Sequence, residues 1–447
     1  MIEAQVSAPK AAQCPVPNQL ESWWNGKGAT GDWFGLRKDI EDHGLVLSGK
    51  WLGTLYGVVG GGLEHRATFD EELKFEARLD FDKLTGWEVL RGLQAFGAVR
   101  LRDGYNVNNY VGATSGFNPS SYQSGKKWRL MPFYLSYTTP ELLGIKNLVT
   151  ISGGWQNPYD FFARQEDAKL FRNNVIVSGK GISANGVGWS SSYAAWGGML
   201  KVAPNNWSYA QSGLYMAIPG GTNTANRGLD LAGASPADSN GWFALGEAGV
   251  MPCIGGLPGK YSFGGYYWGL ENTSFFGQNY DGKFGFYWMA EQTLFAEHAA
   301  AAPATGDGKS KVDPKDGKSV ASVAPTVSSK QGLRWLGFVN YAPKYDNMMP
   351  FFFYSGLVYE GLIPTRDADQ TGVAFAYGSY SYYNIVADRQ AGIYTVPTYE
   401  AVLEFEYRYQ LNKWAYLQPF LQYVIRPGGM GTVSNATVLG VHCGVAF

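Results

Sequence analysis

Residues 399–410 read YEAVLEFEYRYQ. From Tyr399 every second residue is apolar or aromatic: Ala401, Leu403, Phe405, Tyr407 and Tyr409. The positions between are charged or polar (Glu400, Glu404, Glu406, Arg408 and Gln410), with Val402 the exception. Period two belongs to extended backbone, because successive side chains of a strand point to opposite faces of the sheet. This segment therefore needs a greasy environment on one face and a polar one on the other. A half-exposed strand of any β protein would satisfy that, so the rest of the chain has to arbitrate.

The pattern recurs. LKFEARLDFD (73–82) sets Leu73, Phe75, Ala77, Leu79 and Phe81 against Lys74, Glu76, Arg78, Asp80 and Asp82. GLQAFGAVRLR (92–102) places Arg100 and Arg102 on the face of Gln94, Phe96 and Ala98, and GLRWLGFVNY (332–341) opposes Leu333, Trp335, Val339 and Tyr341 to Arg334 and Asn340. A soluble sandwich would show its charged faces to bulk water, whereas a membrane barrel turns the apolar faces to lipid and the polar ones inward. Composition favours the second arrangement. Charged residues are 16% of the chain, against about 25% in soluble domains, and the 59 Gly among 447 residues are nearly twice the usual ~7%. Aromatics reach 15%, yet mean hydropathy is −0.19 and no run approaches the ~18 apolar residues of a membrane helix.

The turns agree. LTGW ending at Trp87, NNW at Trp207 and NKW at Trp414 follow strands with a short polar turn and an indole, which favours a membrane interface. Counting back from Phe447 gives strands near 437–447, 415–427, 399–411, 371–387, 351–362, 332–342, 284–296 and 261–270. Further back they fall near 241–251, 209–219, 193–203, 148–157, 128–138, 92–103, 73–83 and 45–60. The fold class expected is all-β: a transmembrane antiparallel β-barrel of about sixteen strands, an even number as single-chain bacterial barrels have, with a short N-terminal periplasmic helix. With Phe447 at the periplasmic side, the turns at 84–91, 139–147, 204–208 and 411–414 are periplasmic and the longer loops extracellular.

Two segments stand apart from the barrel at 45–447. Residues 297–331 fall on the periplasmic side but are long, rich in Ala, Ser and Lys, and almost devoid of aromatics, which predicts a flexible insertion. Its GDGKS lacks the upstream Gly of a phosphate loop, and DPKDGKS lacks the closing Glu of a calcium loop. Within residues 1–44, GDWFGLRKDIEDHG predicts a short helix capped by Asp32, striped by Trp33, Leu36 and Ile40, and ended by Gly44. MIEAQVSAPK has no apolar core, so the chain is expected to be a mature form whose leader is removed, or a recombinant start. Cys14, Cys253 and Cys443 are too few for a disulfide framework and have no metal-ligand spacing. Cys14 and Cys253 both map to the periplasmic side, where a bridge between them is expected.

Several functions are excluded or left without support. A formal net charge of −1 gives no argument for nucleic acid. The four His are scattered, there is no G-x-S-x-G or H-E-x-x-H, and no cofactor motif is present, so no enzyme is expected.

The chain resembles the carbohydrate-selective porin (OprB) family. The resemblance is carried by GDWFGLRKDIEDHGLVL, LPGKYSFGGYYW, NYAPKYDNMMPFFFYSGLVYEGLIPTRDADQTGVAFAYGSYS and YEAVLEFEYRYQLNKWAYLQPFLQYVIRPGG. It runs from about residue 31 to the C-terminus, and is strongest after 330. It implies a sixteen-stranded outer-membrane channel passing monosaccharides and related small solutes. The insertion at 297–331 and the loop after residue 158 depart from the family pattern. The last strand, VLGVHCGVAF, resembles the signal by which outer-membrane barrels are recognised for assembly, so Phe447 is expected to engage the assembly machinery. Lipid and lipopolysaccharide are the expected surroundings, and the barrel is read as a monomer or homotrimer.

Sugar hydroxyls donate and accept, so carboxylates and guanidinium groups on opposite walls can hold them. By strand parity the candidates for a substrate-binding constriction are Glu76, Arg78, Arg100, Arg102, Arg334, Glu360, Glu404, Glu406 and Arg408, with Lys74 and Glu291 beside them. A long connection at 158–192 is expected to fold inward and narrow the bore through Tyr159, Asp160, Phe161 and Arg164, with Phe162 and Trp189. The alternative for the charges is mutual pairing that merely keeps the lumen wet. At the level of function, a non-selective diffusion porin and a plugged structural barrel share the same strands.

Overall fold

A computed structural model describes residues 23–114, 116–120, 127–177, 179, 181–189, 194–217, 241–297 and 331–447. Among the described residues, sixteen long antiparallel strands form one closed sheet, with the two-residue strand Cys253–Ile254 paired at its lower rim. They are β1 (Leu45–Gly62), β2 (Ala67–Asp80), β3 (Leu93–Gly104), β4 (Lys127–Thr138), β5 (Val149–Gln156), β6 (Ala195–Val202), β7 (Ser208–Met216) and β8 (Trp242–Val250). The second half comprises β9 (Leu257–Trp268), β10 (Lys283–Ala296), β11 (Gly332–Tyr341), β12 (Phe351–Glu360), β13 (Gln370–Ser379), β14 (Tyr399–Gln410), β15 (Ala415–Ile425) and β16 (Ser434–Ala446). Each pairs with its sequence neighbours, and β1 closes on β16 in a register running from Lys50↔Ala446 to Gly62↔Ser434. Closure leaves no unpaired edge, which is what a sheet surrounded by hydrocarbon requires.

Every expected strand is present, with shifted ends. The segment read as 371–387 leaves the sheet at Ser379, and Tyr382–Gln390 is a helix. Ser381 caps it, its hydroxyl accepting from the amides of Tyr383 and Asn384. The aromatic run SYSYYN had looked like more strand, and a local cap decides otherwise. Likewise β2 begins at Ala67 and stops at Asp80, whose side chain caps the turn Phe81–Thr85.

The faces divide as the alternation requires. On β14 the outward Leu403 and Phe405 are 46% and 47% exposed, while the inward Glu404 and Glu406 are wholly covered. Trp87 and Trp207 are exposed at the barrel's lower end, where residues 23–44 and Phe447 lie. Trp414 is not. It is buried under Trp23 and Trp24, with ring centroids 4.9 and 5.8 Å away, so it anchors the N-terminal segment.

The expected helix is Leu36–Asp42, but Asp32 makes no side-chain cap; Gly35 at φ 90° takes the N-cap position, and none of its residues is buried. It is held by Arg37, whose guanidinium donates to the backbone oxygens of Phe447 and Leu47 at 3.1 and 3.4 Å. Cys14 and most of the 297–331 insertion lie outside the described residues, so neither the Cys14–Cys253 bridge nor the flexible-insertion reading meets a structural counterpart; Cys253 itself is exposed.

The interior departs from a uniformly wet bore. The long upper connections at 105–120 and 157–189 fold into the barrel and bury an apolar cluster against its inner wall. Phe117, Phe162, Phe171, Ile176 and Trp189 come from the loops, and Tyr56, Phe338, Phe352, Val402 and Val424 from the strands. Val402, the residue that breaks the polar row of β14, lies in this cluster with no exposure.

Candidate functional site

The inward loop is hung on carboxylates of the wall. Extended strands place Glu247 on β8, Glu291 on β10 and Glu404 on β14 with their side chains inward, and each accepts a backbone N–H from the loop. Ala163 donates to Glu247 at 2.7 Å, Asp167 to Glu291 at 2.8 Å, and Arg172 and Asn173 to Glu404 at 2.7 and 3.0 Å. Gln165 adds side-chain bonds to the carbonyls of Ala290 and Gly337. Two other upper loops are treated alike: Glu400 accepts from the amide of Thr114 at 3.1 Å and from that of Gly428, between β15 and β16, at 3.0 Å. Between and at the starts of the inward loop's short helical turns (Pro158–Asp160, Asp167–Leu170 and Asn174–Val177) lie buried amides that need acceptors, and charged acceptors are the stronger ones.

Two cavities flank the loop in the lower half of the barrel. One, of about 580 Å³, is lined among others by Lys50, Lys74, Arg100, Tyr159, Asp160 and Tyr416 and reaches Lys413 and Trp414 at the lower end. The other, of about 590 Å³, lies against β10–β13, with Glu291, Arg334, Glu360 and Gln370 in its wall. Lys169 of the loop and Arg408 of β14 line both.

The sequence-derived residues separate into three groups on this geometry. Arg100, Arg102, Arg334, Glu360 and Arg408 line a cavity, as do Lys74 and Glu291. Arg102 donates to Glu72 at 2.6 Å, and Arg334 bridges Asp167 at 2.8 Å and Glu360 at 3.4 Å. Arg408 donates to Gln418 and Gln370 at 2.7 and 3.2 Å, and lies 4.6 Å from the Tyr416 ring centre. Burial pushes the Asp167 carboxyl above its ordinary range, against the pull of Arg334. Glu76 and Arg78 point inward by parity, but they sit nearer the lower mouth, more exposed, and are part of neither lining; Glu76 pairs with Lys74. Glu404 and Glu406 form the third group. Parity put them on the lumen face, yet the loop covers them completely: Glu404 is engaged by loop amides and Gln422, Glu406 by Gln418 at 2.6 Å.

Within the loop, Tyr159, Asp160 and Arg164 line the first cavity, and the Arg164 guanidinium stacks 5.0 Å from the Tyr159 ring centre. The Tyr159 hydroxyl donates to the Val177 carbonyl, and Trp189 packs edge-on against its ring at 5.8 Å. Phe161 turns instead to Tyr134 at 5.6 Å, and Phe162 is core.

Parity missed Lys50, Glu72, Lys169, Arg172 and His442. Lys50 and His442 share the alternation of their strands and were readable from it. Glu72 was lost because β2 starts six residues before the segment read as strand. Lys169 and Arg172 lie in a loop that has no period to read.

A closed sixteen-stranded barrel, apolar outside and narrowed by a loop folded in from one end, is the architecture of an outer-membrane porin. The chain belongs to the carbohydrate-selective porin family, OprB, whose profile matches residues 64–447. It is 24% identical to Porin B of Pseudomonas aeruginosa, over 95% of this chain and 92% of that protein. It is 23% identical to the putative porin QuiX of Acinetobacter baylyi, over 93% and 92%. The fold matches the high-pH structure of Pseudomonas putida OprB with a TM-score of 0.80 at 22% identity, covering 95% of this chain and 99% of that one. The low-pH structure of the same protein gives 0.57 at 18% identity with equal coverage. Family membership makes the chain a passive, sugar-selective channel of the bacterial outer membrane rather than an enzyme.

Proposed function

We propose that monosaccharides cross this porin past the loop segment 159–172 and through the two lower cavities, where sugar hydroxyls exchange water for charged groups of both signs. The observation that carries the reading is the placement of Lys169 and Arg408 in the walls of both cavities, at the edge of the inward loop. Arg100, Asp160, Arg164 and Arg408 on one side, and Arg334, Glu360 and Glu291 on the other, supply donors and acceptors. Tyr159 and Tyr416 offer ring faces to the apolar side of a pyranose. Glu404 and Glu406 serve in this reading as the fixings of the loop, and Arg78 and Glu76 as charges of the lower vestibule.

The lower end is periplasmic in this reading, because both the docked N-terminal helix and Phe447 lie there. Phe447 docks by its amide on Gly49 at 2.8 Å and stacks its ring near Phe75, consistent with a terminal strand that the assembly machinery inserts into a lipopolysaccharide-bearing membrane as a monomer or homotrimer. A transported sugar must also leave, so binding on the millimolar scale, about −4 kcal/mol, is expected. Single-channel conductance in planar bilayers, titrated with glucose, tests the function: saturable block supports the sugar site, and conductance indifferent to glucose overturns it in favour of a non-selective pore.

A further inference from the structure

We infer that the solute this channel favours is an anionic sugar derivative, a polyhydroxylated carboxylate, recognised in the cavity between β1–β3 and β14–β16. The inference deepens the sugar-porin reading and rests on it. Among the described residues, that cavity is lined by nine Lys and Arg side chains and only two acidic ones, Glu72 and Asp160. Glu72 pairs with Arg102 at 2.6 Å, and Lys74 and Lys169 pair with Glu76 and Glu166 just outside the lining, so the excess of positive charge is smaller than nine to two but keeps its sign. The neighbouring cavity has nearly the same volume but a balanced lining, with three basic residues (Lys169, Arg334, Arg408) and four acidic ones (Glu166, Asp167, Glu291, Glu360).

That contrast separates recognition from mere wetting. The balanced cavity shows how this barrel keeps a compartment hydrated, by pairing charges across it. Nor does the basic lining follow from composition, since the whole chain has 36 Lys and Arg against 37 Asp and Glu. A cleft lined by one sign of charge, with low-dielectric walls, concentrates counter-ions within it. A simple anion would satisfy the charge but not the rest of the lining. Tyr159, Trp414 and Tyr416 add aromatic surface, and two of these carry a guanidinium close to the ring: Arg164 by Tyr159 and Arg408 by Tyr416. A solute with both a hydroxylated body and a carboxylate uses both features, since guanidinium and ammonium groups bind carboxylates by charge-assisted hydrogen bonds.

The test uses the full-length protein in planar bilayers, measuring the zero-current potential in a KCl gradient and block of conductance by gluconate and by glucose. Anion selectivity is expected, with half-block by gluconate at about tenfold lower concentration than by glucose, the lower end of what electrostatic focusing gives. The advantage should shrink between about 0.1 M and about 1 M KCl, as the screening length falls from about 10 Å to about 3 Å. The double substitution Lys50→Gln, Lys74→Gln should bring gluconate towards glucose; should that variant fail to assemble, the salt series on the unaltered protein decides. Cation selectivity, or gluconate no better than glucose while glucose still blocks, overturns this inference alone. Conductance indifferent to glucose overturns the sugar-channel reading beneath it.

Discussion

The upper and lower halves of the barrel interior are made by the same strands and could hardly be less alike. Above, inward side chains such as Phe338, Phe352 and Val402 meet loop residues such as Phe171 and Ile176 in a dry, packed cluster. Below, inward side chains of those strands, Arg334, Glu360 and Arg408, line open, charged cavities. Between them lies a row of carboxylates that take backbone amides of the loop. The difference teaches that facing inward does not define an environment in a barrel of this size. What decides it is whether another segment arrives to cover the wall.

If that division is right, substitutions should sort by level. The largest stability effect is expected in the upper cluster: Phe171→Ala, removing a fully buried ring, should cost about 3–5 kcal/mol in a denaturant titration of the refolded barrel. A loss near zero would mean the loop is not packed as described. Next comes the outer wall, where Leu403→Arg at mid-membrane should cost about 2–4 kcal/mol. Glu404→Leu follows at about 1–3 kcal/mol, because the amides of Arg172 and Asn173 lose their buried acceptor. This variant should also show larger or noisier open-channel current, as the loop is released; unchanged current would deny the carboxylate its fixing role. In the lower half stability should hardly move while function does. Arg100→Ala should weaken glucose block severalfold, about 1 kcal/mol of a charge-assisted contact, with ion conductance similar or higher. Arg78→Ala, in the vestibule, should have the smallest effect on block, and an equal loss from both would return Arg78 to the constriction.

Strand number, strand order and the facing of residues such as Leu403 were legible in the sequence, because period two and polar turns are local properties of the chain. Which inward residues touch solute was not. Glu404 and Arg408 share a strand, a parity and a charged side chain, yet one is sealed and the other open. The segment that seals Glu404 lies more than 200 residues away, at Arg172 and Asn173, and meets it only through the closed sheet. One local trace of that event existed: Val402 breaks the polar row where the loop packs, and Leu336 and Phe338 do the same on β11. An apolar interruption on an otherwise polar face marks a covered wall.

The grip of Arg37 on the Phe447 carbonyl, with the Ala29 amide donating to Ala446 at 2.8 Å beside it, joins residues 410 positions apart. The helix at Leu36–Asp42 thus takes one acceptor from β1, at Leu47, and another from across the seam, just beyond β16. That second acceptor comes into place only when β16 pairs with β1. Full docking of the helix is therefore a late event, and its arrival a timestamp of completed closure.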